Sequence, residues 1–403
     1  MRKNVRFWMS AAFVFFLLHN LSVAQERRGA FRTAGPQAVQ KVIRLIPPSL
    51  DETDPAVRFV GFLEEDQSDR PLKPEADESL SSSPLDSNLH DSNLHKENVA
   101  CCYDRCWEFW EHHNGVWGEY LYLRPRGADV IYATPVDEAG NPVGTQAVAA
   151  FGYDSGFRVG GAWAIDQCSS LTATYTWYQA ANSDNVNVPG GTSFLRADTV
   201  HPSTVNVASD SLAARAQYGL DMQSVDLNYR ALLWGGDHFA VNYQLGLRYA
   251  QVEQQFGATY SILGTTTVAT NVDFHGFGPR FGFEGERLLG DCGWLVYSKG
   301  SVNFLFGSSS ADYLQSNILA GTQAQTGLSE TRVVTVPEFE LGTGWVNSDG
   351  RFRITAGYYL AAWFNMMTTP EYLSTVREIP NSFERQVKTL TLDGLSLRAE
   401  WRF

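Results

Sequence analysis

TLTLDGLSLRAEWRF, residues 389–403, decides how the rest of the chain is read. From Leu395 it alternates: Leu395, Leu397, Ala399, Trp401 and Phe403 fall on one face, Ser396, Arg398, Glu400 and Arg402 on the other. A period of two with one apolar and one charged face is a half-buried β-strand. Left as an exposed edge in a soluble protein, such a strand invites aggregation. It is accommodated when it closes a barrel in lipid, apolar face outward and charged face toward the lumen.

Earlier runs supply its partners. The first is 118–124 (GEYLYLR), extending toward Tyr132. Residues 157–165 set Phe157, Val159, Trp163 and Ile165 against Arg158, Gly160, Ala162 and Ala164, and a tight break at 166–169 leads into 171–178. In 225–233, Val225, Leu227, Tyr229 and Leu233 oppose Asp226, Asn228 and Arg230. The hairpin signal Gly235-Gly236-Asp237 leads to 239–249, where Val241, Tyr243, Leu245 and Leu247 oppose Asn242, Gln244 and Arg248. Residues 274–285 and 294–306 flank Gly290-Asp291-Cys292-Gly293, and 333–345 and 352–364 flank Asn347-Ser348-Asp349-Gly350.

With the terminal strand this makes about ten, or twelve if residues 134–151 fold as an extra hairpin. Each run suits the ~9–11 residues of a tilted membrane strand. The predicted fold is all-β, a closed antiparallel transmembrane β-barrel over 117–403 with both ends in the periplasm. Breaks at 126–152, 180–218, 255–271, 307–331 and 365–388 are long and polar, and read as extracellular loops. A soluble sandwich would not sort short and long connections so regularly. Trp163, Trp234, Trp294, Trp345 and Trp401 all lie near a short turn or the chain end, and Trp117 opens the first strand. Together they predict a periplasmic aromatic girdle.

The N-terminus sets the destination. Arg2, Lys3 and Arg6 precede an apolar core at 7–18, and Ser22-Val23-Ala24 offers small residues for cleavage, so residues 1–24 read as a signal peptide. That apolar core is short for a membrane-spanning helix. Residues 25–116 are polar and low in complexity, with the DSNLH of 86–90 repeated at 91–95, and predict a mostly disordered periplasmic tail ending in a cysteine cluster. A net charge of −13 argues against nucleic-acid binding. Mean hydropathy of −0.22 is compatible with a barrel, whose two faces average out.

Several stretches resemble a known family. Gly118-Glu119-Tyr120-Leu121-Tyr122-Leu123-Arg124, Phe274-His275-Gly276-Phe277-Gly278-Pro279-Arg280-Phe281-Gly282 and Leu305-Phe306-Gly307, with the closing aromatic strand, are similar to the pore-forming outer-membrane family typified by the Legionella major outer-membrane protein, in its planctomycete versions. The resemblance spans about 117–403. It implies residence in the outer membrane, contact with outer-membrane lipid and pore formation. It also implies that Phe403 resembles the signal read by the barrel-assembly machinery.

Two sets of residues carry the functional question. Arg158, Arg230, Arg248, Arg280, Glu284, Glu338, Glu340, Arg353, Arg398 and Glu400 share the polar face of their strands. They form either an ion-paired filling, which mixed signs in a narrow barrel favour, or a selectivity ring for small solutes. Cys101, Cys102, Cys106, Cys168 and Cys292 all fall on the periplasmic side, where disulfides can tie the pre-barrel segment to the rim. A zinc site is the weaker reading, because Cys-Cys-x-x-x-Cys with His112-His113 is not a standard ligand spacing. His201, His238 and His275, the last near Asp273, lack any nucleophile motif such as G-x-S-x-G, so catalysis is not expected. No cofactor is implied. The favoured function is a porin-like channel for small hydrophilic solutes. The alternative is a non-conducting structural or adhesive barrel working through its loops and tail.

Overall fold

Because the last strand has its backbone groups free on one edge, it must find a partner, and it finds the first. In the computed structural model, residues 108–188, 194–204, 211–262, 264–290, 292–378 and 389–403 are described. The expected signal peptide, nearly all of the expected polar tail, and Cys101, Cys102 and Cys106 lie outside the described residues. The strands in chain order are β1 (Gly115–Arg126), β2 (Val130–Val136), β3 (Ala147–Ala149), β4 (Asp154–Asp166), β5 (Ser169–Asn187), β6 (Phe194–Ala197) and β7 (Ala213–Gly236). They continue as β8 (Phe239–Ile262), β9 (Gly264–Leu288), β10 (Trp294–Asn317), β11 (Gly321–Val346), β12 (Phe352–Trp363) and β13 (Leu390–Arg402), with one helix, α1 (Thr369–Glu378), between the last two.

Ten strands close a barrel in the order β1-β13-β12-β11-β10-β9-β8-β7-β5-β4. Every wall pair is antiparallel, and β13 runs against β1 in unbroken register from Gly115↔Arg402 to Arg126↔Thr391. No edge of the sheet is left open. The short turns need backbone that L-residues resist, and glycine supplies it at Gly290 (φ 69°) and Gly350 (φ 68°).

The twelve-strand alternative is overturned. Residues 134–151 do contribute a hairpin, but β2 and β3 join β6 in a separate three-stranded sheet rather than the wall. The expected extracellular loops also change character. Residues 255–262, 264–271, 307–317 and 321–331 are strand, extending β8, β9, β10 and β11. The other three breaks hold β2 and β3, the upper ends of β5 and β7 with β6, and α1.

The reason lies in how the side chains sort along a tall strand. On β8 the outward residues begin as Val241, Tyr243, Leu245, Leu247 and Tyr249 and continue as Gln251, Glu253, Gln255 and Thr259. The inward residues run Asn242, Gln244 and Arg248, then Ala250, Val252, Phe256, Ala258 and Tyr260. Alternation never stops, but its sign reverses near Tyr249. β9 does the same: outward Phe283, Phe281 and Phe277 give way to His275, Asp273 and Asn271, while inward Glu284 and Arg280 give way to Phe274, Val272 and Val268. At ~3.3 Å per residue and a ~40° tilt, the ten steps from Phe239 to Tyr249 rise ~25 Å, the height of a lipid-facing belt. Above it the wall stands in water and behaves as a soluble sheet, polar outside and apolar within.

That apolar interior is filled. The sheet of β2, β3 and β6 and helix α1 share one core with inward wall residues, including Tyr132, Phe151, Leu195, Met367, Leu373, Tyr218, Leu220, Phe256 and Phe274. Each such side chain contributes roughly 1.5–3 kcal/mol on burial. Strand parity confirms that this plug sits inside. Tyr260 shares a face of β8 with lumen-facing Arg248, and its hydroxyl donates to Tyr132 O at 2.6 Å. Tyr313, on the inward face of β10, donates to Thr199 O at 3.0 Å. Gln254 clasps the start of α1, its Nε2 donating to Met367 O and its Oε1 accepting from Thr369 N, both at 3.1 Å. Asn365, in left-handed backbone (φ 62°), turns the chain off β12 toward the helix.

Candidate functional site: a charged lumen between two seals

Within the membrane-spanning part the inward positions meet in pairs. Arg248 on β8 donates from Nε to Asp226 Oδ1 on β7 at 2.5 Å and from Nη1 to Glu338 Oε1 on β11 at 2.6 Å. Glu338 Oε2 also accepts from Arg280 Nη1 at 2.6 Å and from Ser301 at 3.1 Å, and its Oε1 accepts from Tyr359 Oη at 2.8 Å. Because β9 and β10 separate β8 from β11, the Arg248–Glu338 tie crosses the interior. A second crossing is the bidentate pair of Arg353 on β12 with Glu286 on β9, at 2.7 and 2.9 Å.

The remaining charges fill in around these ties. Arg158 reaches Glu119 at 2.8 Å and Glu340 at 3.8 Å, with its guanidinium 5.0 Å from the centre of the Tyr359 ring. Glu340 also holds Lys299 at 3.2 Å and accepts from Tyr297 Oη at 2.7 Å. Arg230 lies 3.2 Å from Glu284, and Glu400 takes Arg398 and Arg402 at 2.8 Å each. All ten lumen residues anticipated from parity thus meet an opposite charge. Glu119, Asp226, Glu286, Lys299 and Arg402 complete the network; Asp226 and Arg402 already stood on the polar faces, and the same odd-even count carried further would have added the other three.

A cavity of about 90 Å³ remains among these groups, lined by Arg158, Arg230, Arg280, Glu119, Glu284 and Trp117 among others. That is room for a few water molecules. Trp117 Nε1 and Asn228 Oδ1, both buried and without a protein partner, line it.

The lower end has a seal of its own. The described segment before β1, residues 108–114, runs beneath the charges. Phe109 is buried with Ala240, Leu288, Leu295, Tyr297 and Val346 from the lower ends of β8 to β11, flanked by Trp110 and Leu232. His112 N donates to Gln167 O at 2.9 Å, and Asn114 O accepts from Phe403 N at 2.8 Å. The His112 ring is held by Ser170 Oγ at 2.8 Å and Asn242 Oδ1 at 3.0 Å. An amide oxygen only accepts, so Nε2 carries the proton and Nδ1 accepts from the serine. Burial, helped by nearby Arg230, pushes the His112 pKa down to about 4. Hydroxyl, imidazole and amide in series suggest a nucleophile, but Ser170 and Asn242 are 1% exposed, and the trio works as a tether.

Other anticipated residues are placed as follows. Trp163, Trp234, Trp294, Trp345 and Trp401 face outward near the short turns and the chain end, from 72% exposed at Trp163 to 38% at Trp345, and Trp294 and Trp345 pair across β10–β11. Trp117 does not join them. It shares the inward face of β1 with Glu119, lies over Gly160 and stacks under the Arg398 guanidinium at 4.3 Å. Its neighbours in sequence, Val116 and Tyr120, are the ones turned to lipid. Cys168 and Cys292 are exposed beside short turns, and neither is bridged to another described residue. His201 sits in the plug, His238 in the β7–β8 turn, and His275 with Asp273 on the outer wall above the belt.

A closed ten-stranded barrel with a greasy belt, a row of exposed tryptophans at its short turns and a charged interior is the architecture of an outer-membrane β-barrel. Residues 110–403 match the family model described as Legionella pneumophila major outer membrane protein precursor. The chain belongs to that family. No curated protein matches it. Among solved structures it is similar to the outer membrane protease OmpT from Escherichia coli (10% identity, 75% of this chain and 100% of that one, TM-score 0.43). It is also similar to a major outer membrane protein from Thermus thermophilus (11%, 72% and 100%, TM-score 0.29) and to CarO of Acinetobacter baumannii (12%, 72% and 97%, TM-score 0.25).

Proposed function

We propose that this barrel is closed to solutes in the conformation described and acts as a passive structural or adhesive element of the outer membrane. The observation that carries this is the apolar plug. A hydrated solute passing the upper barrel would have to displace β2, β3, β6 and α1 from a shared core. The ion pairs that cross the lumen and the Phe109 seal support the same reading. The tall wall then presents its polar outer face and its hairpin tips to whatever lies outside the cell.

The second reading, a porin-like channel, draws on the charged lumen and on the family. For it to hold, both the plug and the strap formed by residues 108–114 must leave. Planar-bilayer recording of the refolded full-length chain separates the two. A heat-modifiable, folded barrel that gives no single-channel steps supports the closed element; reproducible steps support the porin.

Some expectations carry over into this proposal. Export follows cleavage after Ala24, and the barrel-assembly machinery reads Phe403. One of Cys101, Cys102 and Cys106 bridges to Cys168 or Cys292, fixing the strap to the rim. Non-reducing mass spectrometry of the secreted chain tests the bridge.

A further inference from the structure

One sector of the outer wall differs from the rest. Just above the belt, outward positions on β7 to β10 are acidic or neutral, as at Asp221, Glu253, Asp273 and Asp312. On β1 the same level carries Arg124 and Arg126, opposite Asp393 and Thr391 of β13. Nine or so residue steps separate Arg124 from the periplasmic end of β1. At ~3.3 Å each and ~40° of tilt that is a little under the ~25 Å belt height. The two guanidinium groups therefore emerge where the headgroups of the outer leaflet begin, and an arginine stem readily lies along apolar wall while its head reaches the polar layer.

The charges at this seam do not balance. Asp393 pairs with Arg126 through both oxygens and accepts from Tyr358 Oη at 2.6 Å, so its capacity is largely taken. Arg124 adds a second positive charge, and its Nε is buried without a partner. Arg126 keeps about half its side chain exposed. The stacked rings of Tyr122 and Tyr153, 5.3 Å apart, form a fixed aromatic edge beside them.

We propose that the β1–β13 seam binds the phosphate of an anionic outer-leaflet lipid. Arg124 and Arg126 fork the phosphate oxygens, and the Tyr122–Tyr153 edge lies against the rest of the lipid. Planar guanidinium groups match phosphate geometry and hold it more tightly than a point charge does. This site depends on how the barrel sits in the membrane and not on whether its lumen conducts.

The test is native mass spectrometry of the full chain in detergent with added phosphatidic acid or phosphatidylcholine. Wild type should retain phosphatidic acid selectively. R124A/R126A should lower its occupancy about tenfold or more, and D393N, which releases Arg126, should raise it. R215A, higher on β7, should change nothing. Heat-modifiability on gels confirms that each variant folds. Equal retention of both lipids by wild type, or unchanged phosphatidic acid on R124A/R126A, overturns the proposal. Displacement of the lipid by an equal concentration of inorganic phosphate moves the site to a soluble anion and overturns it too.

Discussion

Arg248 shows how a single residue is committed by its surroundings. It is 3% exposed and holds Asp226 and Glu338 at once. Arg248→Met takes the close cation from Asp226 and leaves Arg280 as the one cation shared by Asp226 and Glu338, and should cost about 3 kcal/mol in urea unfolding of the refolded barrel. Replacing Arg248, Arg280, Asp226 and Glu338 together by apolar residues of similar size should cost far less, since the desolvation penalty goes with the charges and no ion is left unpaired. His112 gives a prediction with a sign. Its folded pKa of about 4 lies below the ordinary 6.5, so the unfolded chain takes up the proton first as pH falls. Stability is lost from pH 6.5 down to about 4, by about 2 kcal/mol at pH 5. His112→Asn should show a correspondingly smaller drop between pH 7 and pH 5 in paired urea titrations. The lumen charges were legible at this scale because parity alone places them. Trp117 obeys the same rule, since it lies two residues before Glu119 and shares its charged face; only its place at the start of the strand drew it into the girdle.

At the scale of elements, the lower half of each wall strand is readable and the upper half is not. Leu245, Leu247 and Tyr249 announce a lipid face, whereas Gln251, Glu253 and Gln255 look like loop residues until the inward Val252, Phe256 and Tyr260 are counted against them. The reader of a sequence expects one solvent per strand, and these strands have two. The plug was missed for a related reason. β2, β3 and α1 are short and bury half or more of their residues, so they carry little periodic signal. Gln254 is the element-level test. Gln254→Leu removes both hydrogen bonds that seat α1 and leaves Met367 O and Thr369 N unsatisfied. It should destabilise the plug by about 1–3 kcal/mol. Amide exchange across α1 should accelerate while the β1–β13 pairing stays protected. At the other end, Gly160→Val pushes a side chain into the Trp117 ring and should lower the unfolding midpoint, with Trp117 fluorescence shifting as its stack on Arg398 breaks.

For the whole molecule, the wall passes through two environments and its interior complements each. In lipid the outside is greasy and the inside ionic; above lipid the outside is polar and the inside greasy. Plug, ion pairs and strap then follow as three ways of filling one tube. Collision accessibility of single spin labels along β8, from 239 to 261 in a cysteine-free background, tests this most directly. The account predicts that odd positions up to 249 meet oxygen from lipid, and that odd positions from 251 meet a water-soluble relaxant. Even positions should be shielded from both along the full strand. Even positions open to the water-soluble relaxant would mean a water-filled lumen and contradict it.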